Sequence, residues 1–466
     1  MKFIADLHMH SKYSRATSKN MVLEEIDRVA GEKGISVIGT GDCTHPKWFK
    51  ELTEKLEQAE PGLFKLKKKH KRPMLWETLA DTRFIISGEI SSIYSRGGKV
   101  RRVHNIILLP SLESAKRLNV LLGKRGNIVS DGRPILGIDS EELAKIIFDI
   151  EPTAMIIPAH LWTPWFGVLG SASGFDSLEE CYGAYADRII AVETGLSSDP
   201  AMNWRLSKLD GVAMLSNSDS HSPQKIGREA TMFDTELSYE GIRNAIKNSS
   251  PRNISRRVVI PAEAGIQSLT GRTTHKELDP GPRSSRGQAL TRRGDTQKIQ
   301  NNCIIATLEF FPEEGKYFHD GHRTCGMSMT PKETKKNKGM CPVCGKPVTV
   351  GVLNRVDALA DTKTTVTSKG NMRTQGDRVP FYSIIQLNEI IADALSVGVK
   401  TKKVQAAYER LLKGCGTEID ILMNAPKREL LAHADERIVR GIMNMRAGEV
   451  AVIPGYDGEY GKIHIS

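Results

Sequence analysis

Ten residues of metal-ligating type recur through the first half of the chain: His8, His10, Asp42, His45, Glu89, His104, His160, Glu193, Asp219 and His221. His8 and His10 form an HxH pair, and Asp219 and His221 repeat the spacing as DxH. Residues two apart in extended backbone face the same side, so both members of a pair can reach one ion. Imidazole suits Zn, Mn or Fe; carboxylates suit Mg or Mn and can bridge two ions. A lone His or Asp at a strand end is ordinarily a cap or a structural residue, but two such pairs with further candidates at other strand ends favour ligation for the set. Two ions about 3.5–4 Å apart would polarise a phosphoester, generate hydroxide near neutral pH and stabilise the leaving oxygen. No side-chain nucleophile is then required, and Cys43 between Asp42 and His45 reads as a packing thiol.

A second constellation lies further on. His322-x2-Cys325 is followed, after fifteen residues, by Cys341-x2-Cys344, with Pro342 and Gly345 shaping the second knuckle. Three thiolates and one imidazole at this spacing suit a tetrahedral structural zinc, with His319 an alternative to His322. A redox role lacks the thioredoxin-like strand–helix setting. Cys181, Cys303 and Cys415 have no partners at ligand spacing. Seven cysteines in 466 residues form no secreted disulfide framework, and the N-terminal MKFIADLHMHS lacks the pattern of a signal peptide. A cytoplasmic protein without membrane spans is expected.

Positioning these ligands requires elements. Apolar runs at Phe3–Ala5, Ile35–Ile38, Phe84–Ile86, Ile106–Leu109, Ala154–Ile157, Ile189–Val192 and Val212–Leu215 read as about seven buried strands, each adjoining a candidate ligand. Helical patterns separate them, one between Ser18 (as N-cap) and Gly34, another over Ser140–Ile150. Alternation of this kind predicts an α/β fold with a parallel sheet, and closure into a barrel would gather the strand ends at one rim. The composition, 39% apolar and 26% charged, is that of a globular chain.

Four regions are expected: a barrel over 1–251, a basic disordered insertion over 252–302, a zinc module over 303–362 and a helical tail over 363–466. The insertion is rich in Arg, Gly, Pro, Ser and Thr, without an apolar period, and loosely resembles translated short repeat elements. Within the tail, Lys363–Arg378 is polar and basic. Three apolar stripes follow: Leu387, Ile390, Ile391, Ala394 and Leu395; Val404, Ala407, Tyr408, Leu411 and Leu412; and Ile438, Val439 and Ile442. Their expected stops are Gly398, Gly414 and Gly448. The chain carries a net charge of +11, but residues 252–302 hold ten Lys/Arg against four Asp/Glu, leaving only +5 on the other 415 residues. Composition therefore says little about a polyanionic partner.

DLHMHS (Asp6–Ser11), GDCTH (Gly41–His45), SGEI (Ser87–Ile90), the His104 and His160 strand ends and SNSDSH (Ser216–His221) together resemble the polymerase-and-histidinol-phosphatase (PHP) domain. The resemblance implies a distorted (β/α)7 barrel holding two or three divalent metals (Zn, Mn or Mg) and hydrolysing phosphoesters. DLHMHSKYSRATS, PAHLWTPWFG, LEFFPEEGKY, CPVCGKP and PGYDGEYGKI resemble, more narrowly, the endonuclease Q family, over nearly all the chain except 252–302. That implies cleavage of duplex DNA on the 5′ side of deaminated bases (uracil, hypoxanthine, xanthine) or abasic sites. Catalysis is assigned to His8, His10, Asp42, Glu89 and Asp219, ligation to the ten residues above, and structural zinc to His322, Cys325, Cys341 and Cys344. Many PHP domains carry a further ligand just after HxH. Ser14-Arg15 stands there, so either it is absent or Asp42 and His45 both take part.

Candidate DNA contacts are Arg15, Arg228, Trp162, Trp165 and the run Arg96, Lys99, Arg101 and Arg102. Guanidinium groups can hold phosphate oxygens, and aromatics beyond a catalytic His can stack on an extruded base. Salt bridging and core packing are the competing roles. A small-molecule phosphatase explains the barrel but not the zinc module and tail; a non-catalytic DNA-binding protein would not need the full ligand set. No GxxxxGK[ST] loop and no clamp-binding motif are found, and a monomer is expected.

Overall fold

The computed structural model describes residues 1–74, 82–254 and 302–465. Its α/β architecture centres on a distorted barrel. Lys2–Asp6 lies parallel to Val37–Gly39, which lies parallel to Arg83–Arg96. Arg83–Arg96 turns back as the antiparallel strand Lys99–Leu109, which pairs antiparallel with Met155–Pro158. Ala191–Glu193 and Ala213–Leu215 form a separate parallel pair. Leu161 N donates to Glu193 O at 3.0 Å on one side of that pair, and His10 N to Ser220 O at 3.0 Å on the other. Loop backbone, rather than one continuous ladder, therefore completes the ring.

Side chains alternate between two cores, as a period of two requires. Ile85, Ile106 and Leu108 join Ala5, Ile157, Ala191 and Leu215 in one. Phe84, Ile86, Ile107 and Leu109 pack in the other, with the helices. Glu89 keeps the parity of Ile85, and His104 that of Ile106, so the apolar face runs directly into the polar site.

One expectation fails here. Strand C-termini do not all meet at one rim, because the His104 strand runs against its neighbours. Gly97 and Gly98, at φ 62° and 71°, close a two-residue hairpin between Arg96 and Lys99. His104 thus enters from mid-strand, opposite Ser91. The hairpin tip also lies far from the chemistry, since seven residues at about 3.3 Å each separate Glu89 from Arg96 by roughly 23 Å.

Helix Leu23–Lys33 begins after Val22, which makes no side-chain cap, and Ser18 Oγ accepts from Asn20 N instead; Gly34 stops the helix at φ 88°. Helix Ser140–Ile150 is capped by Asp139. Beyond the barrel, Cys303–Glu309 pairs antiparallel with Ala230–Asp234 and parallel with Phe381–Ser383. The boundary expected at residue 303 therefore falls inside a continuous sheet. The polar stretch Lys363–Arg378 contributes a hairpin, Thr367–Lys369 with Met372–Thr374, to the same sheet. Its first strand is exposed throughout, which left no apolar period to read. The insertion expected over 252–302 lies almost wholly outside the described residues.

The three tail stripes form helices Leu387–Ala394, Lys402–Cys415 and Glu436–Ala447. The second passes Gly414 and stops at Gly416 (φ 98°). Glu418–Met423 and Lys427–His433 are further short helices. The tail docks beside the Asp219 loop, where Gln386 Nε2 donates to Gln224 O at 2.7 Å and Lys33 pairs with Glu418 at 3.2 Å. Among the described residues no helix is long and apolar enough to cross a membrane.

Two buried carboxyls, Glu229 and Glu309, sit where the barrel meets the added strand. Burial pushes Glu309 up to about 8, with Asp199 adding to it, and pushes Glu229 in the same direction, with Glu309 adding to it. A carboxyl protonated when folded and ionised when unfolded loses its contribution as pH rises from its ordinary value near 4.5. Thermal stability should accordingly fall from pH 5 towards pH 8, and Glu309→Gln should flatten that slope in a series of melting curves.

Candidate metal centre

The barrel brings two ligand groups together. His8, His10 and Asp219 have donor atoms within 4.8 Å of one another, as do Glu89, His104 and His160. Glu89, 1% exposed, addresses both groups. Its Oε2 lies 3.3 Å from His10 Nε2 and 3.7 Å from His8 Nε2. Its Oε1 lies 2.8 Å from His104 Nδ1 and 3.5 Å from His160 Nε2. Asp219 Oδ1 completes the first group, 3.1 Å from His10 Nε2.

A second ring of side chains aims the imidazoles. Glu193 Oε1 accepts from His8 Nδ1 at 3.0 Å and from Asn217 Nδ2 at 3.0 Å, while Oε2 accepts from His160 N at 2.7 Å. Asp42 Oδ1 accepts from His10 Nδ1 at 3.1 Å; Oδ2 takes Ser11 N, Ser11 Oγ and Ser14 Oγ at 2.7, 2.6 and 2.9 Å. Each arrangement turns a ring so that Nε2 points inward, as carboxylate partners do for metal-bound histidine. Asp42, His160 and Asp219 are held at positive φ (47°, 31° and 46°), a left-handed backbone disfavoured outside glycine and recurrent at functional sites.

The electrostatics are those of a cation site. Burial opposes charge on His8 and His10, but the carboxylates around them outweigh it and hold both imidazoles well above their usual range. Burial would likewise raise Glu89 and Asp219, yet the imidazoles, with Arg133 beside Glu89, hold both carboxyls well below theirs. His104 goes the other way, pushed down by burial to about 4. His8 Nε2 is buried without a hydrogen-bond partner and faces Asp219 and Glu89 at 3.7 Å. An orphaned imidazole nitrogen among carboxylates fits a divalent cation.

Not every expected ligand joins these groups. His45 spends both nitrogens elsewhere: Nδ1 accepts from Trp48 N at a helix start and Nε2 donates to Val129 O at 2.9 Å. Asp42 and Glu193 stand outside the two convergent groups, with their oxygens on His10, His8 and the His160 backbone. His221 Nδ1 bonds Asp219 O at 2.9 Å, and its ring lies 4.4 Å from that of His10, beside the first group.

The expected DNA contacts are scattered. Arg96 pairs with Asp139 and Glu141; Arg101 lies 4.1 Å over Phe175. Lys99 is exposed at the distant hairpin tip, and Arg102 joins Ser173 through its backbone N. Arg228 is committed to Ser218 O and Asp219 O, at 2.8 and 3.4 Å, and the Arg15 side chain is 85% exposed. Trp162 is a core residue, 1% exposed, its Nε1 donating to Asn203 Oδ1 at 2.8 Å. Trp165 meets Tyr317 edge-on at 5.5 Å. Sequence reasoning missed Ser11, Ser14 and Asn217, which stand inside the motifs it used. It also missed Arg133, which lies in a loop with no motif to mark it.

Away from the barrel, His322, Cys325, Cys341 and Cys344 converge, their donor atoms within 4.8 Å of one another. Their chemistry fits a tetrahedral cation. His319 turns instead to Ser328 Oγ at 3.2 Å.

Comparisons with known proteins agree with this geometry. A PHP-associated family model matches residues 202–251, and the MJ0043 C-terminal domain model matches residues 386–449. Uncharacterized protein YqxK of Bacillus subtilis is 25% identical over 477 aligned residues, covering 99% of both chains. Uncharacterized protein MJ0043 of Methanocaldococcus jannaschii is 29% identical over 312 residues; the match covers 65% of this chain and only 31% of that protein. The crystal structure of the lesion-specific endonuclease PfuEndoQ from Pyrococcus furiosus matches with TM-score 0.75 at 28% identity, covering 100% of this chain and 96% of that one. An endonuclease Q complex with a 27-mer duplex carrying an abasic lesion at its active site matches with TM-score 0.76 at 28% identity, covering 100% and 97%. This correspondence runs the length of the chain, through barrel, Cys/His cluster and helical tail, so the chain is similar to endonuclease Q over its whole extent.

Proposed function

We propose that this chain is a metal-dependent endonuclease of DNA repair. It cuts the phosphodiester on the 5′ side of deaminated bases (uracil, hypoxanthine, xanthine) or abasic sites in duplex DNA, acting as a monomer. The observation that carries this reading is the pair of ligand groups sharing Glu89, in a chain that matches a lesion-bound endonuclease along its length. Two or three divalent ions (Zn, Mn or Mg) would be held by His8, His10 and Asp219 and by Glu89, His104 and His160, and a structural zinc by the Cys/His cluster. Bound cations there supply Lewis acidity and an ionised water. The chain's part is orientation: Glu193 and Asp42 hold the imidazoles, and the left-handed backbone at Asp219 presents its carboxylate. Damaged or deaminated bases pair poorly, so less energy is spent extruding them, which gives selectivity.

The test is cleavage of labelled duplexes carrying uracil, hypoxanthine or an abasic site, with Mg²⁺ or Mn²⁺. Incision only on the 5′ side of the lesion is expected. An uncut duplex, with hydrolysis of histidinol phosphate or nucleoside monophosphates instead, would replace the reading with a phosphatase.

A further inference from the structure

Arg133 is the guanidinium that the structure brings to the bridging carboxylate. Its Nη1 donates to Glu89 Oε2 at 3.2 Å, the same oxygen that faces His8 and His10. The bond uses one of five N–H donors, and a quarter of the side chain (25%) is exposed, so donors remain for a ligand.

Its backbone is fixed from both sides. Gly132 N donates to Tyr13 O at 3.0 Å, and Ser91 N to Pro134 O at 3.0 Å. Arg133 N itself donates to Asp131 Oδ1 at 3.1 Å. Gly132 sits so close to the site that an added Cβ would meet Asp42 Oδ2 at 2.2 Å and Ser14 Oγ at 2.5 Å. That loop is therefore built against the residues that aim His10, and Arg133 is delivered from it to a defined place. Arg15 and Arg228, two further guanidinium groups that the motifs suggested for phosphate, are respectively solvent-facing and already committed to carbonyls.

We propose that Arg133 holds a non-bridging oxygen of the scissile phosphate. The inference rests on the reading of this chain as a phosphodiester-cleaving enzyme. With Glu89 Oε2 engaged as a ligand, the guanidinium is free to turn its fork to the phosphate, where bidentate bonding both orients the group and meets the charge that grows on it during attack.

The experiment measures single-turnover cleavage of a uracil or abasic-site duplex by wild type, Arg133→Ala and Arg133→Lys. Metal content, duplex affinity and melting temperature are followed in parallel. Arg133→Ala should slow cleavage about 10²- to 10³-fold, the scale of losing one preorganised donor. Metal content should stay at wild-type level, duplex affinity should fall far less than the rate, and added guanidinium ion should restore part of the rate. Arg133→Lys, which keeps the charge without the fork, should fall between the two and guards against a folding defect in the alanine variant. Cleavage by Arg133→Ala within about threefold of wild type, or a loss of bound metal that tracks the loss of rate, would overturn the assignment. Failure of the wild type to cut any lesion duplex would instead overturn the functional reading itself.

Discussion

Glu89→Gln should reduce lesion cleavage by about 10³-fold or more and leave the barrel with less than its full complement of ions. Glu89 turns one carboxylate oxygen to ring nitrogens of each ligand group, 3.3 Å from His10 and 2.8 Å from His104. The amide keeps the shape but removes the charge, and its NH2 would stand against an imidazole or Arg133. A replacement at Asp219 would injure one group; this one injures both. The measurements are metal content per chain and single-turnover rate, with duplex affinity as the control that should not move. Full metal content together with near wild-type cleavage would show that Glu89 is not the bridge.

Cys341→Ser should abolish metal binding by the Cys/His cluster and unravel the segment around it. Among the described residues the apolar cluster there is small: Met329, Cys341 and Val348, with Cys325 and Met327 partly buried against it. So small a core cannot hold a fold alone, whereas a structural zinc contributes about 10–16 kcal/mol at neutral pH. Damage should spread to the site. Arg355, on the helix Val352–Leu359 that follows the cluster, donates through Nε to Leu169 O at 3.0 Å, and Val350 O accepts from Ser171 Oγ at 2.9 Å. Leu169 and Ser171 belong to the loop after His160, which also carries Phe166, 4.3 Å from the His104 ring. Limited proteolysis should therefore open residues 320–350 while the barrel stays protected, and cleavage should drop about tenfold or more. Unchanged protection in the variant without the metal would show that the segment folds unaided.

Much of the site was legible because ligand chemistry restricts residue type. His8, His10, Glu89, His104, His160 and Asp219 all stood out as His, Asp or Glu beside apolar strands, and all six meet in space. His45, Asp42 and Glu193 have the same residue types and adjoin strands in the same way. A sequence cannot distinguish a carboxylate with free lone pairs from one whose oxygens are taken by Ser11, Ser14, Asn217 or a backbone N–H. The parallel barrel was legible from strand–helix alternation, but the reversal of the His104 strand was not. Gly97-Gly98 is a hairpin signal of only two residues inside what reads as a basic loop. Likewise Thr367–Lys369 is exposed along its length, so pairing rather than burial makes it a strand.

The sequence by itself determined the inventory: which residues can bind cations, that four of them share a zinc-knuckle spacing, and which apolar runs must be buried. These follow from side-chain chemistry and local period, which need no neighbours. Tertiary structure decided the roles. Two groups instead of ten equivalent ligands, Glu89 between them, Asp42 and Glu193 behind them and Arg133 in front are consequences of strands far apart in the chain closing one ring. Whether an oxygen is free, shared or spent depends on what that closure brings within about 3 Å of it.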